Sequence, residues 1–134
     1  MSVPQARSGS CLCGAVTYRS QGPFGSLLQC HCENCRRLSG NFVAATRAAT
    51  KDVHIDDPAD VFRWHDLEYA MYGFCSRCGS TLFYRAADRP HVTAIMVGGL
   101  NDASGLSIES VWFTEQAQAH NTLPEGVPHH TGNG

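Results

Sequence analysis

Seven cysteines in a chain of 134 residues limit what this sequence can fold into more than any other feature. They form three clusters: a first, Cys11-Leu-Cys13, a second, Cys30-His-Cys32-Glu-Asn-Cys35, and a third, Cys75-Ser-Arg-Cys78. No apolar signal-peptide segment precedes them, so we expect a cytoplasmic protein whose thiols stay reduced. Complete disulfide pairing would also leave one thiol over, because seven is odd. We therefore expect these cysteines to bind metal.

The charge pattern argues against proteins that bind polyanions. Ten basic and twelve acidic residues give a net charge of −2, and neither sign forms a run. This balance favours neither a nucleic-acid surface nor a polybasic membrane patch, and no apolar stretch approaches the length of a membrane span. With 43% hydrophobic residues the chain is typical of globular proteins. We expect one domain over 1–134, with its core between about 9 and 128.

The apolar pattern predicts an all-β fold of short strands, as in sandwiches and related sheet pairs. One short helix is expected over Glu33–Ser39, closed by Gly40. After Phe113 the chain is rich in turn residues, and we expect an irregular tail there. The candidate strands are Gly14–Arg19, Leu27–Cys30, Phe42–Thr46, Asp60–Trp64, Tyr69–Phe74, Thr81–Arg85, Val92–Val97 and Ile108–Phe113.

The spacing of the cysteines predicts one closed and one open zinc site. The second cluster falls within six residues, so its three thiols can close on a single ion. The first and third clusters then supply four thiolates, the ligand set of a tetrahedral structural site. Residues i and i+2 of a strand share a face, so we expect Cys11 and Cys13 to point to one metal, and Cys30 and Cys32 to another. In the third cluster Gly79 would supply the positive φ that such a knuckle often needs.

Other interpretations of these motifs remain open. A C-x-x-C pair can be a thioredoxin-type redox site, although that function belongs to a βαβ context. The second cluster could also be a structural zinc site completed by His31 or another side chain. The other histidines show no ligand spacing and are interpreted as surface or locally bonded residues: His54, His65, His91, His120, His129 and His130.

The residues around the cysteines carry a family resemblance. They read Cys-x-Cys-Gly-Ala-Val, Cys-His-Cys-x-x-Cys-Arg-Arg-x-Ser-Gly and Phe-Cys-x-x-Cys-Gly-Ser, followed by Gly99-Leu-Asn-Asp102 and a Leu-Pro-x-Gly-x-Pro tail. This series, from about Gly9 to Pro128, resembles the glutathione-dependent formaldehyde-activating enzyme family, whose domain centromere protein V shares. Where the family often has Gly-Thr-Leu-Asp-Asp, this chain has Gly98-Gly-Leu-Asn-Asp102, and Tyr72-Gly73 stand where a basic residue is common.

The resemblance implies a β-tent of packed antiparallel sheets with zinc-binding knuckles and two zinc ions per chain. Its founding activity is the condensation of formaldehyde with glutathione, a carbon–sulfur lyase reaction in the reverse sense. The implied ligands are Cys11, Cys13, Cys75 and Cys78 for a structural zinc, and Cys30, Cys32 and Cys35 for a catalytic zinc.

Three thiolates around zinc suit a soft fourth ligand better than a water to be activated for hydrolysis, and a substrate thiol is such a ligand. Glutathione is anionic, so we expect Arg36 and Arg37 to bind it, with Arg47 and Arg77 as further candidates. We therefore predict a lyase that joins a thiol, glutathione or similar, to formaldehyde or another small aldehyde. The alternative is a non-enzymatic, zinc-stabilised binding module.

Overall fold

The structure, a computed structural model, describes residues 6–133 and is built mainly from β-strands, as expected. Its only α-helix within that range is α1 (Glu33–Ser39), and three short 3-10 turns follow β4, β9 and β10. The strands are β1 (Ala6–Ser10), β2 (Thr17–Gln21), β3 (Leu27–Cys30), β4 (Val43–Ala49), β5 (Val53–Asp56), β6 (Phe62–Asp66), β7 (Ala70–Cys75), β8 (Thr81–Ala86), β9 (Val92–Met96) and β10 (Ile108–Trp112).

The strands form two sheets. The smaller has the order β1-β2-β5, and the larger has the order β10-β3-β4-β9-β8-β7-β6. The expectation of purely antiparallel sheets is wrong at one edge, since β10 pairs with β3 in parallel. Parallel neighbours need a crossover connection, and here the chain from α1 to β9 separates the two strands.

Apolar side chains on both faces of the larger sheet form two cores. On one face, Phe83 and Ile95 pack against Tyr18 and Ile55 of the smaller sheet, and the Tyr18 and Phe83 rings meet edge to face at 4.8 Å. Successive side chains of a strand point to opposite faces of the sheet. Residues adjacent in sequence to the members of this core can therefore belong to a second core on the other face. That core contains the second cysteine cluster together with Leu28, Val43, Ala45, Tyr72 and Met96.

Helix α1 begins and ends where the sequence predicts. Cys32 is its N-cap, and the Cys32 sulfur accepts the backbone N–H of Cys35 at 3.3 Å. Gly40 ends the helix with φ at +89°, a left-handed conformation in which glycine has no Cβ penalty. Within residues 6–133, no helix combines the length and apolar character required to cross a membrane.

Candidate metal centres and a cavity beside one of them

The first and third clusters meet at one end of the molecule. Cys11 and Cys13 lie in the turn after β1, Cys75 ends β7, and Cys78 follows in the turn before β8. Their four sulfur atoms all lie within 4.8 Å of one another. The Cys11–Cys13 and Cys13–Cys75 sulfur distances are 3.6 and 3.8 Å. They agree with the separation of about 3.8 Å between thiolates that bind zinc tetrahedrally at about 2.3 Å. The donor set and spacing therefore fit zinc.

Residues around this four-cysteine site hold its ligands in place. Ser80 Oγ accepts the backbone N–H of Leu12 at 2.9 Å and lies 3.1 Å from the Cys78 sulfur, to which it can donate. This hydrogen bond is the main reason that the pKa of Cys78 falls to about 5. Gly79 has a φ of +83° and donates its N–H to the Cys75 carbonyl, as the knuckle prediction requires.

The second cluster is a separate three-cysteine site on the other face of the larger sheet. Cys30 ends β3, Cys32 caps α1 and Cys35 lies in its first turn, and their sulfurs lie within 4.8 Å of one another. Three thiol donors at this spacing also fit zinc. The turn after β1 and the cap of α1 bring the paired cysteines together. The shared-strand-face explanation was therefore wrong, although the convergence it predicted is present.

His31 does not complete the three-cysteine site. Its buried ring stacks on Phe42, with ring centroids 4.9 Å apart, and its Nε2 lies 3.0 Å from Gln29 Oε1. Among the described residues, no His, Asp or Glu side chain joins the three sulfurs. A metal ion held by the three sulfurs would therefore have a fourth position open to a ligand from outside the described residues.

Hydrogen bonds distribute charge unequally over the three thiols. Donation from Cys30 and Cys35, together with backbone N–H groups, lowers the pKa of Cys32 far below its usual range. The pKa of Cys30 is raised, chiefly because its thiol donates to Cys32. The Tyr72 hydroxyl lies 3.4 Å from the Cys35 sulfur and can donate to it. Before metal binds, Cys32 is thus the preferred thiolate of the cluster.

A cavity of about 630 Å³ lies beside the three-cysteine site. One face of the larger sheet forms much of its wall, and Cys30, Cys32 and Cys35 lie at one part of that wall. Tyr72 and Tyr84, with ring centroids 5.0 Å apart, form another part. Burial, reinforced by the nearby thiolates, raises the pKa of Tyr84 to about 12, so its phenol is protonated at neutral pH.

The arginines predicted to bind glutathione lie in different places. Arg36 and Arg37 line a separate depression of about 370 Å³, whereas Arg47 lines the cavity beside the cysteines. Arg37 pairs with Glu33 at 2.8 Å. With the Gln118 amide oriented to accept, its oxygen lies 2.9 Å from Arg36 Nη1. The structure thus places Arg47 in the cavity wall, whereas Arg36 and Arg37 lie outside it.

Two polar residues of helix α1 and the fourth candidate arginine differ in where they lie relative to the cavity. Asn34 lines the cavity, whereas the Ser39 hydroxyl accepts the backbone N–H of Asn41 at 3.2 Å. Arg77 is exposed beside the four-cysteine site. Five of the histidines interpreted as surface residues are exposed and the sixth, His130, is half-buried.

Sequence reasoning missed the aromatic wall of the cavity. Tyr72, Tyr84 and Trp112 lie on three different strands, and only strand order and register bring them to one side of the sheet. The sequence of β4 alone gives a partial indication of the cavity, because the charged Arg47 alternates with Val43 and Ala45 and so lies on the same face of the strand as these apolar residues. A charge at an inward position of a strand is uncommon unless a partner or ligand meets it.

Comparisons with known proteins agree with this arrangement. A protein of Schizosaccharomyces pombe described as an uncharacterized lyase is 31% identical over 77 residues, which span 57% of this chain and 55% of the yeast protein. The chain thus matches only about half the length of that relative. A crystal structure of a Rhodobacter sphaeroides protein has the same fold, with a TM-score of 0.63 at 21% identity, and the match covers 91% of this chain and 98% of that one.

A family model described as glutathione-dependent formaldehyde-activating enzyme matches residues 6–116, which include all three cysteine clusters. The matched segment takes in every strand and both groups of sulfur atoms. The chain therefore belongs to the glutathione-dependent formaldehyde-activating enzyme family.

Proposed function

We propose that this chain is a zinc-dependent carbon–sulfur lyase that joins a thiol, glutathione or similar, to formaldehyde or another small aldehyde. The observation that carries the proposal is a group of three sulfurs, within 4.8 Å of one another, in the wall of a cavity large enough for a small ligand. Cys30, Cys32 and Cys35 are the catalytic metal ligands in this proposal, and the four-cysteine site is structural.

Zinc bound by the three cysteines would supply Lewis acidity, which keeps a substrate thiol deprotonated near neutral pH. The chain supplies the surroundings of that sulfur. The Cys35 sulfur accepts a hydrogen bond from Tyr72, which stabilises its negative charge. The apolar residues of the cavity wall, among them Val43 and Met96, limit the access of bulk water to the reacting groups.

The reaction conserves atoms and electrons without an oxidant or a reductant. The substrate sulfur forms a bond to the carbonyl carbon, the π electron pair of the C=O group moves to oxygen, and a proton adds to that oxygen. Tyr84 lines the same cavity, and we propose that its phenol, which is protonated at neutral pH, donates a hydrogen bond to the developing alkoxide. The proton released by the substrate thiol balances the one that the oxygen gains.

The cavity favours an enzyme over a non-enzymatic zinc module. A structural zinc site is normally closed by four protein ligands, as the four-cysteine site can be. The three-cysteine group lacks a fourth His, Cys, Asp or Glu ligand among the described residues and faces a cavity. A binding module would need neither feature.

Exchange spectroscopy tests the activity, because glutathione and formaldehyde also combine slowly without a catalyst. With ¹³C-formaldehyde and glutathione at equilibrium, we expect the zinc-loaded protein to accelerate exchange between free aldehyde and S-hydroxymethylglutathione. Cys32→Ser should lose this acceleration. Leu38→Ala, at an exposed position on the same helix, should keep it. A zinc-loaded wild-type protein that leaves the exchange rate unchanged would contradict the proposed function.

A further inference from the structure

Arg47 presents a cation to the cavity without a hydrogen-bond acceptor or a counter-ion among residues 6–133. Its side chain forms neither a hydrogen bond nor an ion pair with any residue between 6 and 133, and its Nε is buried with no acceptor. The Nε1 of Trp112, another residue of the cavity wall, is also a buried donor, and it has no acceptor within the described part of the chain. Native proteins rarely leave such donors unpaired. The described residues thus leave hydrogen-bonding capacity of Arg47 and Trp112 unused at this wall, and the Arg47 guanidinium is available to an acceptor on a ligand.

The surroundings of Arg47 hold its guanidinium in one orientation. The guanidinium carbon lies 5.6 Å from the centroid of the Trp112 ring, a cation–π geometry. Gly25 lies next to the Arg47 side chain and leaves space for it, since a Cβ at position 25 would lie only 3.5 Å from Arg47 Nε. The Gly25 N–H donates to the Arg47 carbonyl at 2.8 Å, which fixes that approach. A guanidinium held in this way loses little conformational entropy when an anion binds.

The acidic residues near the cavity do not neutralise Arg47. Glu33 lies in the cavity wall and pairs instead with Arg37 at 2.8 Å. Asp88 is an exposed residue of the wall and forms no ion pair with Arg47. A half-buried guanidinium without a counter-ion is costly unless an anion arrives. The arrangement is therefore suited to a negatively charged group on the ligand.

The distance from the three-cysteine site to Arg47 suits a small acidic thiol. Val43 pairs with Cys30, and Arg47 lies four residues further along β4 on the same face. Four residues of a strand span about 13 Å between Cα atoms, and the long arginine side chain can reach back over part of that distance. A thiol of dipeptide or tripeptide size spans about 7 to 11 Å when extended, so its sulfur and a carboxylate can meet both sites.

We propose that Arg47, oriented by Trp112 and Gly25, binds a carboxylate of the thiol substrate and so selects acidic low-molecular-weight thiols over neutral ones. This inference rests on the proposed function, in that it assumes that the thiol enters this cavity. Arg47 takes the role that the sequence first assigned to Arg36 and Arg37. A bidentate guanidinium–carboxylate pair gives both charge and orientation.

Calorimetric titration with S-methylglutathione tests the carboxylate site without using the thiol. We expect Arg47→Met to weaken binding by about ten- to a hundredfold, and Arg47→Lys to recover part of the loss. Arg19→Met is the matched control, because it removes the same charge from an exposed position on β2 of the other sheet. Equal affinities in wild type and Arg47→Met, with the melting temperature and zinc content unchanged, would overturn the proposal.

A pair of matched thiols separates failure of this inference from failure of the proposed function. Wild-type protein should bind glutathione at least about tenfold more tightly than its diethyl ester, because the two have the same length and only the former carries free carboxylates. Arg47→Met should bind the two alike. Equal binding of both thiols to wild type would contradict the role of Arg47 and leave the lyase proposal standing. If neither thiol binds, the proposed function fails, whereas the S-methylglutathione titration still decides the role of Arg47. The wild-type comparison remains decisive even if Arg47→Met does not fold.

Discussion

The hydroxyl groups of Tyr18 and Tyr72 are both buried but lie in different surroundings. The Tyr18 hydroxyl lies beside Gly9 and Gly99 and has no hydrogen-bond partner among the described residues. The Tyr72 hydroxyl lies 3.4 Å from the Cys35 sulfur, and burial raises its pKa, which keeps it a donor. Only the second hydroxyl is in a position to influence a metal held by Cys35.

We therefore predict that Tyr72→Phe weakens zinc binding at the three-cysteine site by about tenfold, since loss of a hydrogen bond to a ligand has effects of that order. Competition with a chromophoric chelator measures the affinity. Tyr18→Phe is the control and should leave zinc affinity unchanged, with stability equal to or slightly above that of wild type, because an unpaired buried hydroxyl is removed. The positioning role of Tyr72 would be refuted by equal zinc affinities in the two variants.

Residue types and spacing predicted which cysteines come together, but not the groups around them. The spacing of the cysteines indicates metal binding. Arg36 and Arg37, in contrast, were predicted to bind glutathione only because they follow Cys35 in the chain. The short helix carries both to a separate depression. Arg47 is twelve residues from Cys35 in sequence and reaches the cavity only through the alternation of β4. Which side chains become neighbours on a sheet depends on the register of its strands, and the register cannot be inferred from the sequence of one strand alone.

At the scale of elements, strands with an apolar period were predictable and two others were not. The expected segments Leu27–Cys30 and Glu33–Ser39 match β3 and α1. Strand β1 was missed because Ala6-Arg-Ser-Gly-Ser10 has no β-branched or aromatic residue. Strand β5 was missed because its sequence, Val53-His-Ile-Asp56, contains only two apolar residues. Both strands belong to the smaller sheet, and hydrogen bonds to β2 between them stabilise the extended conformation that their own sequences only weakly favour.

The close approach of β1 to the 3-10 turn after β9 requires glycine at position 9. A Cβ there would overlap the Tyr18 hydroxyl and the Gly99 carbonyl. We predict that Gly9→Ala lowers the free energy of unfolding by about 2 kcal/mol, as overpacking typically does. Gly98→Ala is the control, because a Cβ at that position meets no atom within 4 Å. Urea denaturation of the two variants measures the difference, and equal midpoints would show that β1 can move away at little cost.

At the scale of the whole molecule, the four-cysteine site joins the two sheets. Its first two cysteines follow β1 of the smaller sheet, and the other two lie at the end of β7 and in the turn before β8 of the larger sheet. The three-cysteine site lies instead on β3 and α1, both on the side of the larger sheet. Metal at the first site would connect the two sheets in addition to the packing of their apolar faces.

We therefore predict two zinc ions per chain with unequal effects on stability. Cys75→Ser should lower the melting temperature by more than about 10 °C, because metal binding there contributes folding free energy directly. Cys32→Ser should lose one zinc ion and change the melting temperature by only a few degrees. Elemental analysis and thermal denaturation measure both quantities. Similar melting temperatures for the two variants would contradict the division into a structural and a functional site.

The central claim is that the three-cysteine site accepts a substrate thiol as a fourth sulfur ligand. Cobalt-substituted protein tests it directly, because sulfur-to-cobalt charge-transfer absorption increases with the number of bound thiolates. We predict that glutathione raises this absorption at the three-cysteine site and that S-methylglutathione, which has no ionisable thiol, does not. An identical response to both compounds, or no response to either, would contradict the claim.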